Sequence, residues 1–337
     1  MKTLKRRSRR ASFVRKLAVS CVALVALACS LAASGARAQD AVGPFPSEWG
    51  APGLYVIRNA RIVTVSGPEI ENGTIVLRDG RIEAVGASVT APSGAREIDG
   101  RGLWVFPGMM DASTNLGLAE IAAGVTGSVD SVEVGDINPN AQAFYGINPH
   151  SSHVDVTRVN GITSVVSAPA GGVVSGQAAI INLAGTTPRE MALVPQAALV
   201  INFPLIAGGG GFGPPPPITP DAISARERRV DEIRRLLRDA EAYGRAQDAH
   251  ARDPRGVPRP ATDLQLAALV PYARGERPVM LRADRERDIR AAVRFAEEMK
   301  LRAVVVGGSD AAKVAALLKE KNIPVVFERM WTLPLRE

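Results

Sequence analysis

The sequence is short of the residues that most often do chemistry or staple a fold. Its 337 residues hold two cysteines, Cys21 and Cys29, and both fall within the first 38. From residue 39 onward there is no thiol, which excludes a disulfide framework and cysteine chemistry there. Stability must then come from core burial. Histidine is almost as scarce, with only His150, His153 and His250. After about residue 33 no apolar run is long enough to cross a bilayer, so no membrane span is expected in the mature chain.

The excess of basic residues is local. Nine of the 41 Lys and Arg, and none of the 34 Asp and Glu, lie in residues 1–38, which leaves 32 against 34 in the remainder. That remainder is near neutral, so the basic balance argues for neither nucleic acid nor an anionic membrane as partner. The basic head runs from Lys2 to Lys16, an apolar stretch fills 17–33, and Ala36-Arg37-Ala38 supplies small residues at a cleavage site. Residues 1–38 therefore read as a secretory signal peptide cut before Gln39. Export to the periplasm or beyond is expected, by the general or the twin-arginine route.

Residues 39–53 are rich in Pro and Gly and read as a flexible leader. From Leu54 short β-branched runs follow one another: Tyr55–Ile57, Ile62–Val65, Thr74–Leu77 and Ile82–Val85. Asn59-Ala60 and Asn72-Gly73 break them. Asp79-Gly80 suits a two-residue hairpin turn. Residues 54–102 are expected to form a small β-sandwich.

Leu103–Gly117 is the stretch on which a site would be built. An apolar run meets Pro107-Gly108, resumes, and ends at Asp111. On extended backbone Asp111, Ser113 and Asn115 share one face. Beyond it the pattern alternates. Strands are expected at 161–166 and 197–203, with a hairpin or extended excursion at 174–183. The run Gly208–Pro217 reads as a loop. A helix capped by Asp221 carries the apolar stripe Ile223, Val230, Ile233, Leu236, Leu237, Ala240 and Tyr243. A second helix is expected over 262–273. The chain then repeats strand and helix: strand 278–281, helix 285–300, strand 302–306, helix 309–321 with Ser309 as N-cap, strand 323–327. Such repetition implies parallel β/α units with helices outside. Six strands are readable from Leu103 to Phe327, where a closed β/α barrel has eight. The expected fold class is thus α/β with a small β domain: an N-terminal sandwich, then an incomplete TIM-like barrel over 103–337.

Four stretches carry a resemblance. They are Val56–Val85, Ile98–Asp111 (Ile-Asp-Gly-Arg-Gly-Leu-Trp-Val-Phe-Pro-Gly-Met-Met-Asp), Arg158–Val165 and Pro278–Val326. Together they resemble the amidohydrolase superfamily, in its secreted imidazolonepropionase-like branch. The resemblance implies a sandwich followed by a barrel. It also implies a zinc-type divalent metal whose bound water attacks a cyclic amide or imide carbon. In the family a His-x-His pair ends the first barrel strand; here Ser113 and Asn115 stand at those positions, and Arg282 stands where a later histidine is expected. A hydroxyl, an amide and a guanidinium are poor zinc ligands. No metal is therefore expected at the family site, and the family's closing strand would fall beyond Glu337.

Asp111 is the candidate catalytic carboxylate, and Ser113, Asn115, Arg282 and Asp284 are candidates for binding an anionic or amide-bearing small molecule. His150, His153 and Asp155 form the alternative metal cluster, since His-x-x-His shares a helix face. Three functional readings are open: a secreted hydrolase of non-peptide C–N bonds, a non-catalytic binding relative, and one half of a split enzyme completed by a second chain. A homo-oligomer is also compatible.

Overall fold

Strand alternation and one tight turn organise the first region. The computed structural model describes residues 53–121, 129–206 and 218–328. The expected signal peptide, nearly all of the leader, the run 208–217 and the closing 331–337 lie outside the described residues. The chain divides into two compact units, Met1–Pro107 and Gly108–Glu337.

The first unit is a five-stranded sheet. Its strands are β1 (Leu54–Ile62), β2 (Ile70–Arg78), β3 (Arg81–Gly86), β4 (Arg96–Asp99) and β5 (Trp104–Val105). The order is β3-β2-β1-β4, and β5 also pairs with β1. Asp79 and Gly80 both have positive φ, 49° and 77°. They make the β2–β3 hairpin turn, because a primed turn matches the strand twist. The first strand runs through Asn59 and ends at Ile62, so of the expected run Ile62–Val65 only Ile62 belongs to it. Asn59 adopts φ 59° and the register against β2 shifts between Ile57 and Ala60. The asparagine is absorbed as a bulge instead of ending the strand. Ala60, Ile62 and Ile75 form the buried centre, with Ile57, Leu77 and Val105 packed on it. The second layer that a sandwich requires is not among the described residues of this unit.

The second unit is built on a seven-stranded sheet. Its strands are β6 (Met109–Thr114), β7 (Ile162–Ser167), β8 (Val174–Asn182), β9 (Ala192–Asn202), β10 (Pro278–Ala283), β11 (Arg302–Gly307) and β12 (Val325–Phe327). They lie in sequence order from β6 to β12. All neighbours pair in parallel except β8, which runs antiparallel to both β7 and β9. The seventh strand is thus the stretch expected as a hairpin excursion. The helices are α1 (Ala143–Gly146), α2 (Ser152–Val159), α3 (Pro188–Met191), α4 (Pro220–Arg252), α5 (Leu264–Ala273), α6 (Glu286–Glu298) and α7 (Ala315–Glu320).

Period-two alternation assigns the two faces of this sheet. Leu199, Ile201, Val279, Leu281 and Val305 point outward into a core made with Ile233, Leu237, Leu269, Tyr272, Ile289 and Phe295 of the helices. Ala198, Val200, Met280 and Val306 point the other way and meet Ala168 and Ala178, with Val166, Val304 and Val326 beside them. Side chains from β7 to β12 thus converge on one inner layer. The sheet is curled and nearly closed. The mixed α/β body with a barrel-like sheet agrees with the expected class.

Two caps differ from expectation. Thr219, not Asp221, caps α4, with its hydroxyl accepting from the Ala222 N–H, Pro220 at the first helical position and Asp221 in the first turn. Proline has no N–H to satisfy there, which frees the residue before it to cap. Ser309 does not cap a helix. Its hydroxyl donates to Asp284 at 2.8 Å, and a 3₁₀ turn (Ala311–Val314) precedes α7.

Candidate functional site

Past the apolar inner layer, the next residues on the inner face are polar. Two positions on from Met280 comes Arg282, and two on from Val326 comes Glu328. At the carboxyl end of β6 sits Ser113. These three meet. The Ser113 hydroxyl donates to Glu328 Oε1 at 2.6 Å. Arg282 lies 3.4 Å from both groups, with Nη1 on Glu328 and Nη2 on Ser113. β6 and β12 are the two edges of the sheet, so the Ser113–Glu328 bond bridges edge to edge. It shows how far the sheet has closed. The Arg282 and Glu328 side chains are only 28% and 23% exposed, which strengthens their pairing relative to a surface ion pair. Arg282 Nε is buried without a partner among the described residues.

Ser113 reaches this place because β6 does not alternate cleanly. Asp111 pairs with Val165 and Thr114 with Ser167, three residues against two, so a bulge lies between them. The expected shared face of Asp111, Ser113 and Asn115 is broken there. Asp111 turns back, its Oδ1 accepting from the Ser113 N–H at 3.0 Å. Asn115 lies past the strand end and is exposed. Gly108 allows the entry into β6. A Cβ there would lie 2.2 Å from the Thr163 hydroxyl, so only glycine lets the chain pass β7 this closely.

Asp284 continues the Met280–Arg282 row, yet it is engaged by the Ser309 hydroxyl and, at 3.4 Å, by the Ser309 N–H. It anchors the turn after β11. A cleft of about 660 Å³ opens beside it, at the carboxyl ends of β9, β10 and β11. Its wall includes Arg282, Asp284 and Glu328, and also Phe203, Arg226 and Arg229, which the sequence pattern does not single out. Arg226 donates from Nε to the Pro204 carbonyl at 2.9 Å and lies over the Phe203 ring at 5.4 Å. Burial lowers its pKa, with Arg287 and Arg294 adding like charge and Asp288 opposing it.

The alternative metal cluster is not assembled. His153 Nε2 contacts the Glu120 carbonyl at 2.8 Å, and Asp155 pairs with Arg158 at 2.6 Å. The His150 backbone N–H is held by Asn148, and His250 Nδ1 lies 2.7 Å from the Val257 carbonyl. The His153 and His250 rings and the Asp155 carboxylate have each been drawn to a local backbone or charge partner. Among the described residues no group of three or more His, Cys, Asp and Glu could hold a metal ion. Where Ser113, Glu328 and Arg282 meet, the donor set is a hydroxyl, a carboxylate and a guanidinium, with Asp111 and Asp284 held by neighbouring hydrogen bonds. A fixed positive charge in that position opposes a divalent cation, so these residues do not fit the zinc centre that the resemblance implies.

No family model matches the chain. Over 51 residues it is 49% identical to an imidazolonepropionase of Ralstonia nicotianae, covering 14% of this chain and 12% of that protein. Over 91 residues it is 31% identical to a deacetylase of Brucella anthropi, covering 24% and 23%. These matches thus span less than a quarter of the relatives' length. An amidohydrolase from Thermotoga maritima MSB8 superimposes with a TM-score of 0.70 at 24% identity, over 83% of this chain and 71% of that one. No described helix is long and apolar enough to cross a membrane. Likeness in sequence to imidazolonepropionases and likeness in fold to an amidohydrolase together support the amidohydrolase superfamily as the one this chain resembles.

Proposed function

We propose that the chain is an exported amidohydrolase-like hydrolase acting on non-peptide C–N bonds of the cyclic amide or imide type. The observation that carries this reading is the meeting of Arg282, Ser113 and Glu328 at the carboxyl end of the barrel-like sheet. That end is where β/α barrels hold their chemistry. Hydrolysis of an amide or imide passes through a tetrahedral oxyanion. Arg282 supplies fixed positive charge at the place where such an oxyanion develops. Two carboxylates are candidates to take a proton from an attacking water: Glu328, on the Ser113 hydroxyl, and Asp111, which is held by the Ser113 N–H and would have to swing from it to reach that water. The Asp111–Ser113 and Glu328–Ser113 hydrogen bonds hold both carboxylates in place. The described residues at these strand ends do not fit a metal, and the proposed chemistry rests on the arginine and the carboxylates.

The test is a hydrolysis screen on the mature chain with hydantoins, cyclic imides and imidazolones. Asp111→Asn is expected to lower kcat by two to four orders of magnitude, as loss of a general base does. Unchanged turnover would remove Asp111 from the mechanism. Arg282→Met is expected to lower kcat by a comparable factor. Export is checked by fractionating cells and sequencing the N-terminus of the secreted form, expected to begin at Gln39.

A further inference from the structure

We propose that Ser113 is a nucleophile, with Glu328 as its base and Arg282 as the charge that holds the pair, so that hydrolysis runs through a serine ester. The proposal rests on the hydrolase reading for its substrate. It departs from that reading in the first step, where the serine attacks before water does.

Among the described residues three serine hydroxyls donate to carboxylates: Ser113 to Glu328 at 2.6 Å, Ser151 to Glu120 at 2.9 Å and Ser309 to Asp284 at 2.8 Å. Two of them have other duties. Ser151 is buried and caps α2, its oxygen accepting from the His153 N–H. Ser309 is fixed to Asp284 through its N–H as well, and the Asp310 N–H donates to the Asp284 carbonyl, so that pair holds a turn. Ser113 differs in two respects. It is half-buried, not sealed in. A guanidinium also lies against it, with Arg282 Nη2 3.4 Å from its oxygen and Nη1 3.4 Å from Glu328. A hydroxyl on a base, with that base held by a third group, is the arrangement that makes a serine nucleophilic. The bulge in β6 supplies the aim. It turns Ser113 inward, and Asp111 fixes the Ser113 N–H at 3.0 Å, so the oxygen is positioned from its backbone as well as by Glu328.

The chemistry balances with water as the sole co-reactant. Ser113 Oγ attacks the carbonyl carbon of the amide or imide, and its proton passes to Glu328. The carbonyl electron pair moves onto oxygen, where Arg282 opposes the new charge. As that pair returns, the C–N bond breaks and the leaving nitrogen takes the proton from Glu328. Water then attacks the Ser113 ester and gives a proton to Glu328. The bond from carbon to Oγ breaks, and Oγ takes that proton back. Glu328 thus serves as base and then as acid in each half of the cycle. Arg282 and Glu328 also line the cleft of about 660 Å³, which leaves room for the acyl group beside the ester.

Diisopropyl fluorophosphate tests the nucleophile apart from any substrate. Attack by Ser113 forms a P–O bond, breaks the P–F bond, releases fluoride and leaves the proton on Glu328. Timed exposure of the mature chain, followed by peptide mapping in a mass spectrometer, locates the label. It is expected on Ser113, with Ser309 as the internal reference that stays unlabelled over the same time. Glu328→Gln and Arg282→Met are each expected to slow labelling of Ser113 by about a hundredfold, and Ser113→Ala to remove it. Circular dichroism and the unfolding midpoint show whether each variant is folded. No label on Ser113, or labelling no faster than at Ser309, overturns the proposal. Labelling that a folded Glu328→Gln variant leaves unchanged removes the base and overturns it as well. Hydrolysis that survives Ser113→Ala overturns the serine ester while the hydrolase reading stands. Labelled Ser113 with no hydrolysis of any compound in the screen would sink that reading and not the nucleophile.

Discussion

The two halves of the second unit share an inner face and differ in what covers the outer one. From β9 to β12 the strands are parallel and long helices return between most of them. Their outer side chains join one large core with α4, α5 and α6. From β6 to β8 the helices are short. The outer core there is smaller, made of Leu118, Val154, Val165, Ile181, Leu183 and Met191 among others, and β8 reverses direction. The inner layer nevertheless runs through both halves, from Ala168 and Ala178 to Met280 and Val306. Curling of the sheet is thus set by the inner side chains. The outer cover decides how much each strand is worth to stability.

Deletion of a large side chain from each outer core measures that difference. Leu281 is fully buried beneath α6, and Leu281→Ala is expected to cost about 2–5 kcal/mol by loss of apolar burial and cavity formation. Leu183, equally buried in the smaller core, is expected to cost less on Leu183→Ala if that cover relaxes around the gap. Urea midpoints compare them, and equal losses would mean that the two covers are equally rigid.

A buried hydrogen bond joins the halves. Tyr272 of α5 donates to Gln177 Oε1 of β8 at 3.1 Å, and the Gln177 amide donates to the Pro139 carbonyl at 2.9 Å. Tyr272→Phe strands the glutamine oxygen, so a loss of about 1–3 kcal/mol is expected by denaturant unfolding. A neutral outcome would show that the oxygen finds another donor.

Asp288 sharpens the comparison through pH. It is 1% exposed in the first turn of α6, and burial raises its pKa, with Arg287 and Arg226 pulling the other way. The folded state therefore holds its proton more tightly than the unfolded chain. This contribution is fully present below the ordinary carboxylate pKa and is lost as pH rises through the folded value. Asp288→Asn is expected to flatten the decline in the urea midpoint above pH 4 and to raise it modestly at neutral pH. A steeper decline in the variant would reverse the assignment. The smallest effect belongs to the helix surface: Glu241→Gln, which removes an exposed pair with Arg245, is expected to change stability by no more than about 0.5 kcal/mol in the same titration.

The β/α repeats at 278–327 are legible because apolar runs of strand length alternate with amphipathic helices. β8 is legible as extended chain, but its direction is not, since period two is the same for parallel and antiparallel strands. The site is half legible. Ser113 and Arg282 stand at strand ends, where polarity interrupts apolar runs. The bulge in β6 leaves no trace in residue type, so Asp111 and Ser113 read as facing the same way when the backbone has turned one of them aside. Glu328 lies after a three-residue strand, and only its two-residue offset from Val326 signals the inner face. Ser309 was the natural cap by type, and a carboxylate 25 residues away took its hydroxyl.

The reversal of β8 also bears on the order in which the molecule folds. The β7–β8–β9 meander pairs strands that are neighbours in sequence. The β9–β10 pairing must instead close a loop that contains two helices. Short loops close at lower entropic cost, and antiparallel neighbours need no crossover. The meander is therefore the part of the sheet that can form earliest, giving β6 on one side and β10 on the other an edge on which to assemble. A strand that departs from the regular barrel pattern becomes the template from which the barrel grows outward in both directions.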